Sequence, residues 1–155
     1  MATGKKHPKS LRRRIQDLLN AERSHMCWEL GHFQAPIFIK ELGETPTKPH
    51  MLVCIDTESV AIMGSELSRV PPSPQDLLTL LVVSMEKSFL GMSAAVLPES
   101  VRLDDPAVFE LIGSKLGQLG VKAVLVQRLS ALSEFMKIVE RELFSRQVGY
   151  LGGAN

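Results

Sequence analysis

Residues 51–67, MLVCIDTESVAIMGSEL, set the architecture expected for this chain. Two apolar segments rich in β-formers, residues 51–55 and 60–67, lie on either side of the polar quartet Asp-Thr-Glu-Ser at residues 56–59. A quartet of this composition is typical of the turn that joins two paired strands. We therefore expect a β-hairpin here.

A helix with a clear start signal follows the hairpin. Ser73 precedes Pro74, and Asp76 stands three residues after Ser73, which is the pattern of a capping box at a helix N-terminus. The helix is predicted to run to about Phe89 and to end at Gly91. It is apolar nearly all round, so we expect it to be the buried central helix.

Two further strands alternate with two further helices. Residues 100–103 and 121–126 are short β-rich runs, and the second is so continuously apolar that we expect it to be buried on both faces. Asp105 is predicted to open the helix between them, Gly120 to end it, and Ser130 to cap the last helix. Strands separated by helices pair in parallel through right-handed crossovers. The sequence thus predicts an α/β fold: one mixed sheet formed by a β-hairpin followed by α-β-α-β-α, with the helices packed on the sheet.

A basic N-terminal helix, starting at Ser10, is expected to precede this domain. Residues 1–24 contain seven basic and two acidic residues, a net charge of +5, which leaves −4 for the rest of a chain whose net charge is +1. We assign residues 1–27 to a basic arm, 28–148 to a single α/β domain, and 149–155 to a flexible, glycine-rich tail.

The segment between the arm and the hairpin gives a mixed pattern. Aromatic residues alternate with glycine and proline in residues 27–36, which we predict to be irregular. Residues 37–39 are predicted to form a short strand, and residues 43–49, with two prolines, a loop.

The composition is that of one globular domain. The 155 residues are 45% hydrophobic and 23% charged, and the small net charge gives no global field that would draw the chain to nucleic acid or membrane. The longest apolar run, residues 77–85, is too short to span a bilayer. Two cysteines, Cys27 and Cys54, allow at most one disulfide, and no signal peptide is evident. We expect a reducing, cytoplasmic setting.

Several segments in order resemble a known family. They are Trp28 followed by FQAPIFI, then MLVCIDTESVAIMGSEL, the helix PSPQDLLTLLVVSM, and PESVRLDDPAVFELIGSKLGQLGVKAVLV. Together they cover roughly residues 28–143 and are similar to a bacterial α/β domain family of unknown function, common in cyanobacteria. The resemblance implies the fold, and it brings no activity, ligand or catalytic residue with it.

Four acidic residues are candidates for metal-dependent chemistry. Asp56 follows an apolar strand, and Asp104, Asp105 and Glu134 follow later strands, which is how ribonuclease-H-like nucleases place carboxylates for two-metal catalysis. The alternative, which we favour, is structural: Asp56 is a turn residue, Asp105 a helix cap, and Glu134 a first-turn acid on its helix.

Other catalytic and metal signals are weaker. His25, Cys27, His32 and His50 are potential ligands, but their spacing is not that of a structural zinc site, and Cys54 lies within an apolar strand. The sequence contains neither a Gly-x-Ser-x-Gly nucleophile motif nor a glycine-rich phosphate loop after a strand. We expect no metal and no cofactor.

The N-terminal basic residues are candidates for contacts with phosphates, which would give salt-sensitive binding to nucleic acid. They are Lys5, Lys6, Lys9, Arg12, Arg13 and Arg14. The alternative, which we favour, is a solvated basic face. Residues 1–27 contain no aromatic residue, which argues against single-strand binding and against a membrane anchor.

Three hypotheses about function follow. The first is a small non-enzymatic module that binds another protein or itself. The second is a nucleic-acid-associated protein that uses the basic arm. The third is a metal-dependent, ribonuclease-H-like nuclease built on Asp56.

Overall fold

A computed structural model describes residues 9–38, 45–87 and 94–153, with side chains as far as residue 143. The helices are α1 (Leu11–Asp17), α2 (Pro74–Glu86), α3 (Pro106–Gln118) and α4 (Ser130–Gly153). The strands are β1 (Glu22–Arg23), β2 (Cys27–Gln34), β3 (His50–Asp56), β4 (Ile62–Ser68), β5 (Val96–Leu97), β6 (Ser100–Leu103) and β7 (Lys122–Leu125).

A mixed sheet of five strands in the order β4-β3-β2-β6-β7 forms the centre of the domain. Strands β2, β3 and β4 are antiparallel to one another in turn, whereas β6 and β7 continue the sheet in parallel with β2. β1 and β5 form a separate parallel pair. The predicted α/β fold with a hairpin and later parallel strands is therefore confirmed.

The prediction that residues 27–36 are irregular was wrong, because β2 is the central strand of the sheet. Trp28 and Leu30 pack into the core on one face, while Glu29, Gly31 and Phe33 face the other way. A glutamate and a glycine at buried positions obscured the alternation that identifies a strand.

The strand predicted at residues 37–39 is not observed at Ile37 and Phe38, which lie outside any strand. Residue 39 lies beyond the described range. Residues 45–49 of the loop predicted at 43–49 are non-helical and lead into β3, and residues 43 and 44 lie outside the described ranges.

Two hydrophobic clusters hold the helices to the sheet. The larger one joins α1, α2 and α3 to one face and includes the fully buried Trp28, Leu81 and Ile112. The smaller one seats the first turns of α4 on the opposite face, around Phe33 and Leu132. Burying this apolar surface is the main favourable contribution to folding.

Three helix starts follow the local chemistry predicted from sequence. Ser73 and Asp76 form a reciprocal capping box at α2, and the Asp105 carboxylate caps α3. The Ser10 hydroxyl accepts a hydrogen bond at the start of α1. Gly120 follows α3 with φ of 71°, the left-handed conformation that favours glycine at a helix end.

The predicted end of α2 at about Phe89 was wrong: the helix ends at Glu86, and Lys87 is already extended. Phe89 and Gly91 themselves lie outside the described residues. The cap predicted at Ser130 was wrong, because Ser130 lies within the first turn of α4 and the Leu132 N–H of that turn donates to Glu29 Oε1.

One expectation about the C-terminal third was wrong. β7 is an edge strand, and Leu125 is 46% exposed, so this strand is not buried on both faces. Its apolar residues pack on one side, against α3. α4 continues as a helix through Gly153, and the flexibility of residues 149–155 stays a prediction. Among the described helices, none is long and apolar enough to cross a membrane.

Candidate functional site

The sheet has a switch point between β2 and β6. From β2 the chain proceeds to β3 on one side, and from β6 it proceeds through α3 to β7 on the other. Ligands of open α/β sheets bind outside the carboxyl ends of the strands at such a point. The register pairs Glu29 with Arg102, and two residues further along both strands Gly31 comes beside Asp104.

A cleft of about 350 Å³ opens at this point. It is lined by Leu30, Gly31, His32, Leu77, Asp104, Asp105, Pro106 and Val108. We call it the switch-point cleft. A second cavity of about 220 Å³ lies on the α4 side and shares His32 and Asp104 with the first. These two side chains therefore form the ridge between the cavities, within reach of a ligand from either side.

His32 is the titratable base of the cleft. Desolvation against the cleft walls, together with the nearby His50, lowers the pKa of His32, although its side chain is largely exposed. The two imidazole rings lie edge to face with their centroids 6.0 Å apart. The negative charges of Asp104 and Asp105 oppose that shift by favouring the protonated ring.

The two aspartates of the cleft differ in their roles. Asp105 Oδ1 accepts hydrogen bonds from Ala107 N at 2.8 Å and Val108 N at 3.4 Å, which is the predicted cap of α3. Asp104 is exposed, and no described residue forms a hydrogen bond or ion pair with its carboxylate, so its charge is available to a ligand. Together with the apolar walls, Asp104 makes the cleft suitable for a cation that carries an aliphatic portion.

Asp56 lies at the other end of the sheet. It ends β3 opposite Trp28 at the amino end of β2, whereas Asp104 follows the carboxyl end of β6. Its Oδ2 accepts hydrogen bonds from Ser59 N at 3.0 Å and Ser59 Oγ at 2.6 Å, as a turn residue does. The structure does not bring Asp56 together with Asp104, because antiparallel β3 carries it away from the switch point.

Glu134 does not complete a carboxylate cluster either. It lies exposed on the second turn of α4 and lines neither of the two cavities at the switch point. The four acidic candidates are therefore divided: Asp104 and Asp105 lie together, while Asp56 and Glu134 lie apart from them.

Gly31 of β2 lines the switch-point cleft together with Asp104, and it has no side chain that could ligate a metal. A Cβ atom at Gly31 would lie 2.7 Å from Leu129 Cδ1 and 2.9 Å from Leu132 Cδ2, so leucines of the α4 side already fill that space. The carboxylate that β2 does carry, Glu29, is fully buried and is held in place by its own partners. Its Oε1 accepts a hydrogen bond from Leu132 N at 2.9 Å.

These residues do not fit a two-metal centre. Glu29 Oε2 lies 3.8 Å from Arg102 Nη1, which is beyond hydrogen-bond distance, and it is buried without a hydrogen-bond partner among the described residues. Within residues 9–38, 45–87 and 94–153, no group of three or more His, Cys, Asp or Glu side chains is placed to hold a metal ion.

The other potential metal ligands are dispersed. His25 Nδ1 lies 3.7 Å from Glu99 Oε1 at the surface. Cys27 is a free thiol at the start of β2. Cys54 is fully buried in β3, and burial raises the pKa of its thiol to about 12. The thiol is therefore protonated at neutral pH, the form that does not bind metal.

The described part of the basic arm is engaged in ion pairs within the chain. Lys9 Nζ lies 2.9 Å from Asp17 Oδ2, and the ammonium holds the pKa of that carboxyl below its usual range. Arg14 binds both oxygens of Glu86, at 2.6 and 3.0 Å, and so joins α1 to α2. Arg13 also approaches Asp17, at 3.6 Å, whereas Arg12 is exposed. Lys5 and Lys6 lie outside the described residues.

The strand order and the helices on both faces define an α/β domain built on a mixed five-stranded sheet. The HTLV-2 integrase catalytic core domain in complex with magnesium shares this fold with a TM-score of 0.52 and 12% identity, over 84% of this chain and 77% of that one. A chain of the simian T-cell lymphotropic virus intasome in complex with PP2A regulatory subunit B56 gamma gives a TM-score of 0.51 and 11% identity. That match covers 79% of this chain and 42% of the other. At identities this low, the two matches show a shared fold alone.

The sequence itself places the chain in a family. It belongs to the family described as Domain of unknown function (DUF6930), whose model matches residues 14–140. No curated protein sequence matches the chain.

Proposed function

We propose that this domain is a protein-binding module whose switch-point cleft takes a cationic segment of its partner. The observation that carries the proposal is the exposed carboxylate of Asp104, which forms no hydrogen bond or ion pair among the described residues and lines the switch-point cleft. Its position is the place where α/β sheets bind ligands.

The lining of the cleft favours a lysine or arginine side chain. The charged end of such a residue can approach Asp104, while its stem lies over the floor of the cleft, where Leu30, Leu77 and Val108 are 5% exposed or less. An exposed ion pair contributes about 0.2–1 kcal/mol and is screened by salt. We therefore expect weak, salt-sensitive binding of a single basic peptide, and tighter binding of a partner that adds contacts around the cleft.

A metal-dependent nuclease is the second candidate, and the shared fold is the observation that favours it. Gly31 and the enclosed Glu29 argue against it, because β2 presents no free carboxylate beside Asp104. Incubating the protein with single- and double-stranded nucleic acid in Mg²⁺ or Mn²⁺ tests this directly. Cleavage that disappears in Asp104→Asn would establish the nuclease and contradict the binding-module proposal.

The two other sequence-based hypotheses have less support. Self-association stays a prediction that a measurement of molecular mass in solution will test. Nucleic-acid binding through the arm is weakened by the ion pairs of Lys9, Arg13 and Arg14, which compete with phosphate contacts.

The proposal is tested by titrating the isotope-labelled full chain with tetralysine and following the backbone amide signals by NMR. We expect the largest shifts at Gly31, His32, Asp104 and Asp105, with binding that weakens as salt rises from about 0.05 M to about 0.3 M. Tetraglutamate serves as the control peptide of opposite charge.

Two variants with the same change of charge locate the binding. Asp104→Asn should weaken tetralysine binding, while Glu134→Gln, which removes an exposed acid outside the cleft, should leave it unchanged. Equal effects of the two substitutions would show that tetralysine responds to overall charge, and the proposal would then fail.

A further inference from the structure

A cavity of about 310 Å³ lies where the helices α1, α2 and α3 meet, and we call it the interhelical pocket. Each helix contributes an apolar residue and, about one helical turn from it, a polar residue on the same face. The pairs are Ile15 and Arg12 on α1, Leu78 and Gln75 on α2, and Leu111 and Lys115 on α3.

The floor of the interhelical pocket is apolar. Ile15 and Leu78 are 4% and 2% exposed, whereas Leu11 and Leu111 are half-buried and keep accessible apolar surface. Small-molecule sites combine such a lining with a few polar groups, and their volumes start at about 300 Å³. The interhelical pocket therefore has the size of a site for a small ligand.

Two cations line the pocket and are unpaired among the described residues. Neither the Arg12 guanidinium nor the Lys115 ammonium forms a hydrogen bond or ion pair there, whereas Arg13 and Arg14 pair with acidic residues of the chain. Among the described residues that line the pocket, none is acidic. Two like charges beside one cavity repel each other, and an anion bound between them relieves that repulsion.

A carboxylate on an aliphatic chain matches this combination of groups. Its charge can lie between Arg12 and Lys115, the Gln75 amide can donate a further hydrogen bond, and the chain can lie over the apolar floor. A bare inorganic anion gains nothing from that floor. Nucleic acid is favoured by aromatic side chains on which bases stack, and the described lining residues include none.

We propose that the interhelical pocket binds small carboxylic acids that carry an aliphatic chain, through Arg12 and Lys115. The site does not depend on the proposed function, because it shares no lining residue with the switch-point cleft and its charge is the opposite one. A bound acid contacts α1, α2 and α3 at once, so it adds to the link that Arg14 and Glu86 already form between α1 and α2.

The test is an NMR titration of the isotope-labelled full chain with hexanoate, in which we expect amide shifts at Arg12, Gln75 and Lys115. Acetate has the same charge and a shorter chain, so it measures the contribution of the apolar floor. Transfer of two further methylenes out of water should make hexanoate bind about 10-fold more tightly than acetate. Equal affinities for hexanoate, acetate and inorganic phosphate would show binding by charge alone and would overturn the proposal.

Variants with the same change of charge locate the site. Arg12→Gln and Lys115→Gln should each weaken hexanoate binding by about 2- to 5-fold at low salt, because each removes one exposed ion pair with the carboxylate. Lys122→Gln removes the same charge from an exposed position on β7 outside the pocket, and it should leave the dissociation constant unchanged. Equal effects of the three substitutions would show a response to overall charge and would refute the pocket.

Tetraglutamate separates a free acid from an acidic peptide. If it shifted the signals of Arg12, Gln75 and Lys115 at lower concentration than hexanoate does, the ligand would be an acidic segment of a protein, and the small-acid proposal would fail. The two sites give separate outcomes. Asp104→Asn should leave hexanoate binding unchanged, and a pocket that takes no hexanoate would leave the cation-binding cleft intact.

Discussion

A methyl group at position 31 would test how α4 is seated on β2. In Gly31→Ala the new Cβ atom lies 2.7 Å from Leu129 Cδ1 and 2.9 Å from Leu132 Cδ2. Carbon atoms in favourable contact are about 3.5–4.0 Å apart, so the leucines or α4 must move. Overpacking of this kind lowers the free energy of unfolding by about 1–3 kcal/mol. Replacing a strand glycine by alanine raises it by about 0.5–1 kcal/mol, because alanine loses less conformational entropy on folding.

We therefore expect Gly31→Ala to lower the free energy of unfolding by up to about 2.5 kcal/mol. For a chain of this length that corresponds to a fall in Tm of up to about 10 °C. The assay is urea and thermal denaturation followed by circular dichroism. In a Leu129→Val background, which removes the nearest Cδ atom, the same substitution should cost less, and a double-mutant cycle measures the difference.

Gly117→Ala is the matched control. Gly117 is exposed in α3, and a Cβ atom there meets nothing within 4 Å among the described residues. The helix propensity of alanine should then raise stability by about 0.5–1 kcal/mol. The two glycine-to-alanine changes thus have opposite expected signs. If Gly31→Ala raised stability as Gly117→Ala should, α4 would not be packed against β2 as described.

Four other predictions concern single groups. Asp104→Asn should lower the pKa of His32 further, because it removes a charge that favours the protonated ring; an NMR titration of the ring measures this, and an unchanged pKa would contradict the cleft geometry. Because folding lowers the pKa of His32, the unfolded chain binds this proton more tightly, so stability should decline as pH falls from about 6.5 through the lower folded-state pKa. Ser73→Ala should lower the unfolding free energy by about 1 kcal/mol in urea denaturation, through loss of the α2 cap. Arg14→Lys should lose the two-point contact with Glu86 and lower the free energy of unfolding by about 1 kcal/mol, with a smaller loss at high salt. Equal stability of the two proteins in urea denaturation would show that this ion pair does not contribute to folding.

Elements with strong local signals were predictable from the sequence. The hairpin, the start of α2 at Ser73, the start of α3 at Asp105 and the end of α3 at Gly120 all depend on residues within a few positions of one another. Caps and turns are local chemistry, so their signals survive without knowledge of the tertiary structure.

The central strand was not predictable in the same way. A glutamate such as Glu29 is usually exposed, but in this structure it is fully buried. Its carboxylate accepts a hydrogen bond from Leu132 N, 103 residues away in sequence. Gly31 indicated a turn, yet it is needed where Leu129 and Leu132 approach the strand. Contacts so distant in sequence leave no local pattern, which is why β2 was missed.

The candidate site was found in part. Asp104 and Asp105 were recognised as acids after a strand, but Asp56 was grouped with them because the sequence does not show which end of the sheet a strand end occupies. His32 was considered as a metal ligand and not as part of a cleft. Recognising β2 as a parallel partner of β6 would have placed His32 beside Asp104.

The dissociation constant of tetralysine from the full chain and from Asp104→Asn is the most direct test of the cation-binding cleft. Loss of one exposed ion pair, worth up to about 1 kcal/mol, should raise that constant by up to about 5-fold at low salt, and the difference should shrink as salt is added. Identical dissociation constants for the two proteins at every salt concentration would contradict the account.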